Sequence, residues 1–149
     1  MSDILITTEL PSPESFLSLR KDTGWGDLTL AQAKQALEQS LCGISLFDGD
    51  KTIGMARVVG DAILNLYIQD VIIARDYRGH GYGRHIMTSL IKHFKDIYPA
   101  NCTIGLMAAK GQTKFYEPFG FQIRPSETTD AGMTAQLDTL MKSQLAKTV

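Results

Sequence analysis

The stretch from residue 63 to residue 98 limits the fold more than any other part of the chain. Leu64, Leu66 and Ile68 alternate with Asn65, Tyr67 and Gln69, the pattern of a strand with one wet face. Val71-Ile72-Ile73-Ala74 then runs on without a polar residue, as strands covered on both faces do. The glycine-rich turn Arg78-Gly79-His80-Gly81-Tyr82-Gly83 comes next. Ile86, Met87, Leu90, Ile91 and Phe94 then mark the buried side of a helix that reaches about Tyr98 and is stopped by Pro99. A further strand over residues 103–108 completes a strand–helix–strand unit. Such a unit is parallel, and its crossover is right-handed.

The flanking segments supply the rest of one α/β layer structure. Residues 4–8 are rich in β-branched side chains and read as a strand. Ser12-Pro13 opens a helix, with Ser12 as N-cap and Pro13 at the first helical position. Thr29 with Gln32 matches a capping box, and Leu30, Ala33, Leu37 and Leu41 share one face of the helix that follows. Residues 43–47 and 52–59 are strands joined by Asp48-Gly49-Asp50-Lys51, a hairpin signal. Residues 112–119 suggest a short helix that Pro118 must distort or end. Residues 121–123 read as the last clear strand, 133–137 as a further edge strand, and 138–149 as a helix or a frayed tail. The predicted order is β-α-α-β-β-β-α-β-α-β in a single domain, 1–149.

Composition bounds the partners. The chain has 149 residues, 44% of them hydrophobic, and a domain of this length buries roughly 68–70% of its unfolded surface. Lys plus Arg is 15 and Asp plus Glu is 16, a net charge of -1, which argues against a nucleic-acid binder. No apolar run approaches the ~20 residues of a membrane span, and no signal peptide is legible at the start, so a cytoplasmic location and no membrane partner are expected. Cys42 and Cys102 are too few for a disulfide framework. His80, His85 and His93 have no spacing that makes a metal set.

Against this neutral background Arg75, Arg78 and Arg84 gather at one helix start, offset by Asp76. Glycines there permit positive φ and close approach of a ligand, and the N–H groups of a helix start attract anions. The turn therefore predicts a phosphate or pyrophosphate site, set against the simpler alternative of a glycine connection that only turns the chain. It is not the dinucleotide fingerprint, because Arg84 stands where the third glycine belongs, and no P-loop motif occurs.

Arg78-x-x-Gly81-x-Gly83, after Val71-Ile72-Ile73, resembles the acyl-CoA motif of the GCN5-related N-acetyltransferases, the GNAT family. Phe115-Tyr116-Glu117-Pro118-Phe119-Gly120-Phe121 resembles that family's aromatic segment. The chain is most similar to small bacterial members carrying Gly24-Trp25-Gly26, Asp70-Val71-Ile72-Ile73 and Gly132-Met133, with some likeness to arylalkylamine-type acetyltransferases. The resemblance implies a GNAT-like α/β (α+β) fold. Its sheet would be mixed and mostly antiparallel, with a central parallel βαβ unit, splayed strands and about four helices. A bulge is expected near residues 69–71.

Acetyl-CoA is the implied cofactor. Its pantetheine arm would lie along Val71, Ile72 and Ile73, with backbone pairing by Val71 and Ile73. Its pyrophosphate would meet Arg78, Gly79, His80, Gly81, Tyr82 and Gly83, with Arg84 next in line. Tyr116 is implied as the acid that protonates the leaving thiolate, and a backbone N–H near Val71 as the group that polarises the carbonyl. Each has a plainer alternative, Tyr116 as a space-filling core ring among them. Asp70 is a candidate general base, an anchor for a cationic acceptor, or a cap at a bulge. Trp25 and Tyr67 are candidate walls of the acceptor pocket. The expected activity is acetyl transfer to the primary amine of a small molecule. The alternatives are a protein or peptide acetyltransferase and a non-catalytic acyl-CoA-binding module. The family habit, with the last strand and tail as surface, implies a homodimer.

Overall fold

The computed structural model describes residues 3–145. These residues fall into two compact units, one running to Ala108 and one starting at Ala109.

The first unit contains β1 (Ile4–Thr7), α1 (Pro13–Arg20), α2 (Leu30–Glu38), β2 (Cys42–Asp48), β3 (Lys51–Gly60), β4 (Asn65–Ile73), α3 (Tyr82–Ile97) and β5 (Thr103–Leu106). The strands lie in the order β1-β2-β3-β4-β5. The first three pairings are antiparallel and β4–β5 is parallel. Local chemistry places the early elements as the sequence predicts. Ser12 Oγ accepts the Ser15 N–H at 3.1 Å, and Pro13 opens α1. Both bonds of the Thr29–Gln32 capping box are present at the start of α2. Asp48 pairs with Lys51 across a two-residue turn, Gly49-Asp50.

The sheet is covered on both faces. Phe16 and Leu19 of α1 and Ala33 and Leu37 of α2 pack with Met55 and Ile72. Gly54, the neighbour of Met55, faces the other way, toward Ile86 of α3. Ile86, Met87 and Leu90 are fully buried beneath α3. Each such side chain contributes about 1.5–3 kcal/mol relative to exposure.

β4 departs from regular pairing at one place. Met55 faces Ile72 but Arg57 faces Gln69, so β4 has one residue more than β3 across this step. The surplus falls at Asp70, whose φ of 53° is positive in a non-glycine residue. This bulge lies within the expected residues 69–71. It also explains the switch in periodicity. Ile68 shares a side of the sheet with Val58, whereas Asp70 and Ile72 turn to the side of α1 and α2.

The second unit contains α4 (Thr113–Tyr116), a 3-10 turn (Glu117–Phe119) and α5 (Leu137–Leu145). The α-helix stops before Pro118, which cannot donate the next helical bond. Two expectations fail here. Residues 121–123 form no strand: only three residues separate Gly120, at φ 102°, from the Arg124-Pro125 pair, and Pro125 has no N–H to give a ladder. Residues 133–137 form none either, since Met133 is 91% exposed and Leu137 opens a helix instead. The parallel pair is consequently at the edge of the sheet among the described residues, not at its centre as expected. The tail expected over 138–149 is helical to Leu145, and residues 146–149 lie outside the described residues. Among the described residues no helix is long and apolar enough to cross a membrane.

Candidate active site

The site begins where β4 outruns its parallel neighbour. Residues 65–68 of β4 pair with residues 103–106 of β5, and no pair follows, although β4 continues to Ile73. The stretch past Ile68 is therefore bonded to β3 on one side and, among the described residues, pairs with no strand on the other. Val71 and Ile73 are half-buried along it. Ile72 is committed elsewhere, packed in the core with Met55. Of the three residues expected along the cofactor, Val71 and Ile73 stand at the open edge, whereas Ile72 is turned into the core and pairs with β3.

A 3-10 turn (Arg75–Tyr77) carries β4 into the glycine turn. Gly79 has φ 79° and Gly81 φ 83°, left-handed conformations that favour glycine. A Cβ built on either meets nothing within 4 Å, so the backbone there is open to approach. Gly81 caps α3, and the N–H groups of Tyr82 and Gly83 in its first turn have no helical carbonyl to reach. His80 stacks on Tyr82 at 6.0 Å between ring centroids, and its Nδ1 lies 3.3 Å from the Tyr77 carbonyl. Arg78 Nε donates to the Ile73 carbonyl at 2.9 Å. Arg75 makes a loose pair with Asp22 at 3.5 Å. Arg84 is exposed in the first turn of α3. The predicted phosphate-site residues 78–84 are thus gathered at one open helix start. An extended open strand leading into such a cradle fits a ligand with a long arm and a diphosphate.

The acceptor candidates lie on the α1/α2 face. Tyr67 faces Val59, two residues from the Gln69–Arg57 pair, so it shares the sheet side of Arg57. Its ring covers Gly105, where a Cβ would sit 3.6 Å away. Burial pushes its hydroxyl above the ordinary tyrosine value, and the Met107 backbone pulls it partly back. The ring thus stands where β5 leaves β4. Trp25 is 43% exposed in the loop between α1 and α2, its N–H donating to Thr23 Oγ1 at 3.2 Å.

Asp70 is placed differently from a free base. Its side chain is 3% exposed. Oδ1 accepts from Arg20 Nη1 at 2.8 Å and Oδ2 from Arg57 Nε at 2.9 Å. Both oxygens are occupied and neither faces solvent, so Asp70 has the geometry of a clamp. Arg20 and Arg57 were not foreseen from the sequence. Arg57 left a signal there, as the one charged residue within the apolar strand 52–59, and Arg20 sits one turn beyond Phe16 on α1.

In the second unit Tyr116 ends α4. Its ring meets Phe115 edge-on at 4.9 Å and Phe121 at 6.1 Å. Burial pushes its hydroxyl above the usual tyrosine value, which keeps the proton on it at neutral pH.

A mixed sheet whose bulged strand outruns its parallel neighbour into a glycine-lined helix start defines an acetyltransferase fold. Residues 25–138 match the model of the Acetyltransferase (GNAT) domain. An uncharacterized ycf52-like N-acetyltransferase of Prochlorococcus marinus is 30% identical over 111 residues, which cover 72% of this chain and 61% of that protein. An uncharacterized N-acetyltransferase ycf52 of Gracilaria tenuistipitata is 35% identical over 106 residues, covering 68% of this chain and 57% of that protein. The crystal structure of a probable acetyltransferase from meticillin-resistant Staphylococcus aureus superposes with a TM-score of 0.79 at 30% identity. It covers 90% of this chain and 99% of that one. The chain belongs to the GNAT acetyltransferase family. It spans about three fifths of the length of the two ycf52 relatives.

Proposed function

We propose that the protein is an acetyl-CoA-dependent N-acetyltransferase whose acceptor is the primary amine of a small molecule. The observation that carries this is the open edge of β4 past Ile68, leading straight into the glycine turn at the start of α3. Acetyl-CoA, when bound, supplies the thioester that an amine attacks. The backbone of Val71 and Ile73 would pair with its pantetheine arm. The N–H groups from Gly79 to Gly83 would meet the pyrophosphate, with Arg78 and Arg84 adding charge. A backbone N–H near Val71 would polarise the acyl carbonyl. On the family motif it matches, Tyr116 would donate its hydroxyl proton to the departing thiolate and recover one from solvent. Trp25 and Tyr67 wall the acceptor site. Asp70 is not assigned the amine proton, because both its oxygens already accept from arginine.

The test is transfer from acetyl-CoA to a panel of primary amines, read as free thiol. Tyr116→Phe is expected to lower kcat by more than about tenfold with CoA affinity nearly unchanged. Because burial raises Tyr116, its loss as an acid comes only above the ordinary tyrosine value of about 10. The kcat of the parent should therefore hold through that pH. An alkaline limb below 10 that disappears in Tyr116→Phe would mean that the hydroxyl is not raised, whereas an unchanged kcat in Tyr116→Phe contradicts the assignment. Tight CoA binding without transfer to any amine establishes a binding module instead. Transfer confined to peptide amines establishes a protein acetyltransferase, and preference for ATP or NAD over CoA removes the cofactor.

A further inference from the structure

We propose that Arg20 is a positioning residue that latches the Trp25 loop to the β4 bulge, so that acceptor selection is set by a support shared with the strand that would hold the acyl group. This rests on the acetyltransferase reading above. Arg20 is the last residue of α1, and its guanidinium reaches in two directions. Nη1 donates to Asp70 Oδ1 at 2.8 Å. Nη2 donates to the Trp25 carbonyl at 3.0 Å and reaches that of Gly26 at 3.5 Å. The charged carbon stands 5.8 Å from the centroids of both the Phe16 and the Trp25 rings, within cation–π range. The planar fork of arginine can bridge two acceptors in this way, whereas an ammonium acts as a point charge.

What Arg20 grips is conformationally committed at both ends. The loop carries positive φ at Gly24 (73°) and Gly26 (86°). Asp70 carries positive φ at 53°, a state that persists only when its surroundings hold it. Its second holder is Arg57, which also reaches Ser40 Oγ at 3.3 Å, and Ser40 is anchored on the Ala36 carbonyl. The duties of the two arginines therefore differ. Arg57 fastens the bulge to β3 and to the end of α2, and has no bond to the Trp25 loop. Among the described residues, Arg20 is the side chain that bonds both that loop and the bulge. Loss of the Arg20 side chain leaves Asp70 held by Arg57 and leaves the loop tied to the end of α1 through Thr23; loss of Arg57 leaves the loop latched and loosens the strand beside the cofactor edge.

Trp25 is the only tryptophan, so its fluorescence reports this loop without interference. The experiment compares Arg20→Gln, Arg20→Lys and Arg57→Gln in the full chain. It measures Trp25 emission and acrylamide quenching, CoA affinity, and KM and kcat for the best amine. Arg20→Gln should shift the emission to the red, quench faster and raise the amine KM by about tenfold, with CoA affinity within about twofold. Arg20→Lys should recover part of the KM. Arg57→Gln should leave the emission in place and weaken CoA instead. If Arg20→Gln does not fold, Arg20→Lys carries the same readouts at smaller size. Unchanged emission and quenching in a folded Arg20 variant, or equal losses of CoA and amine binding in both arginine variants, overturns the latch. If the parent transfers acetyl to no amine, the acetyltransferase reading fails, while emission and CoA affinity still decide whether Arg20 holds the loop.

Discussion

Two groups of arginines lie close together in the chain's first unit, and their surroundings are opposite. Arg20 and Arg57 meet Asp70 beneath α1, with side chains 14% and 15% exposed and bonds of 2.8 and 2.9 Å. Arg75, Arg78 and Arg84 surround an exposed glycine turn, where the Arg75–Asp22 contact is 3.5 Å between side chains 70% and 49% exposed. The first group is neutralised from within and fixes a strained strand. The second lies at the surface, where water and dissolved anions can reach it. Position in the fold, more than residue type, separates an arginine that builds from one that binds.

If that contrast holds, substitutions in the two groups should part company. Asp70→Ala leaves two guanidinium groups facing each other with no carboxylate between them. It should lower the free energy of unfolding in urea by about 3–5 kcal/mol. A loss within about 1 kcal/mol would mean that the cluster is wet and that the distinction is false. Gly81→Ala adds a Cβ that touches nothing but must adopt φ 83°. It should cost about 1–2 kcal/mol of stability and also weaken CoA, by isothermal titration. Unaltered CoA affinity in that variant would detach the turn from the phosphate. Arg75→Ala should change stability by no more than about 0.5 kcal/mol, because its pair is loose and exposed. It should nevertheless reduce CoA affinity, and reduce its dependence on salt. A stability loss matching that of Asp70→Ala would erase the difference between the two groups.

Much of the architecture was legible because local rules governed it. Ser12, Thr29 and Gln32 cap helices wherever they fall, and the change of pattern at residue 70 is a real bulge. The glycine turn was legible for the same reason: positive φ at Gly79 and Gly81 is a local demand. The second unit was read less well. Residues 121–123 have strand-like composition, but strands require a partner, and Pro125 withholds the N–H that pairing needs. Among the site candidates, Asp70 reads in the sequence as a base, an anchor for a cationic acceptor or a cap at a bulge, and its carboxylate is engaged by two arginines. Its two partners are 50 and 13 residues away in sequence, and only the packing of α1 over β3 and β4 brings them together. Arg57 could have been suspected, since a charge amid a buried strand demands a counter-charge. Nothing comparable marked Arg20.

The stretch of β4 that leaves β5 behind has a bearing on solubility. A row of unpaired peptide groups inside a sheet is an invitation to another chain's strand, and proteins commonly defend such edges with a kink or a long cation. This chain has both within a few residues. The Asp70 bulge twists the strand just past its last pair, and Arg78 folds back to occupy the Ile73 carbonyl at the far end. The strand's own irregularity and an arginine of the glycine turn would thus hinder the addition of another chain's strand at this edge.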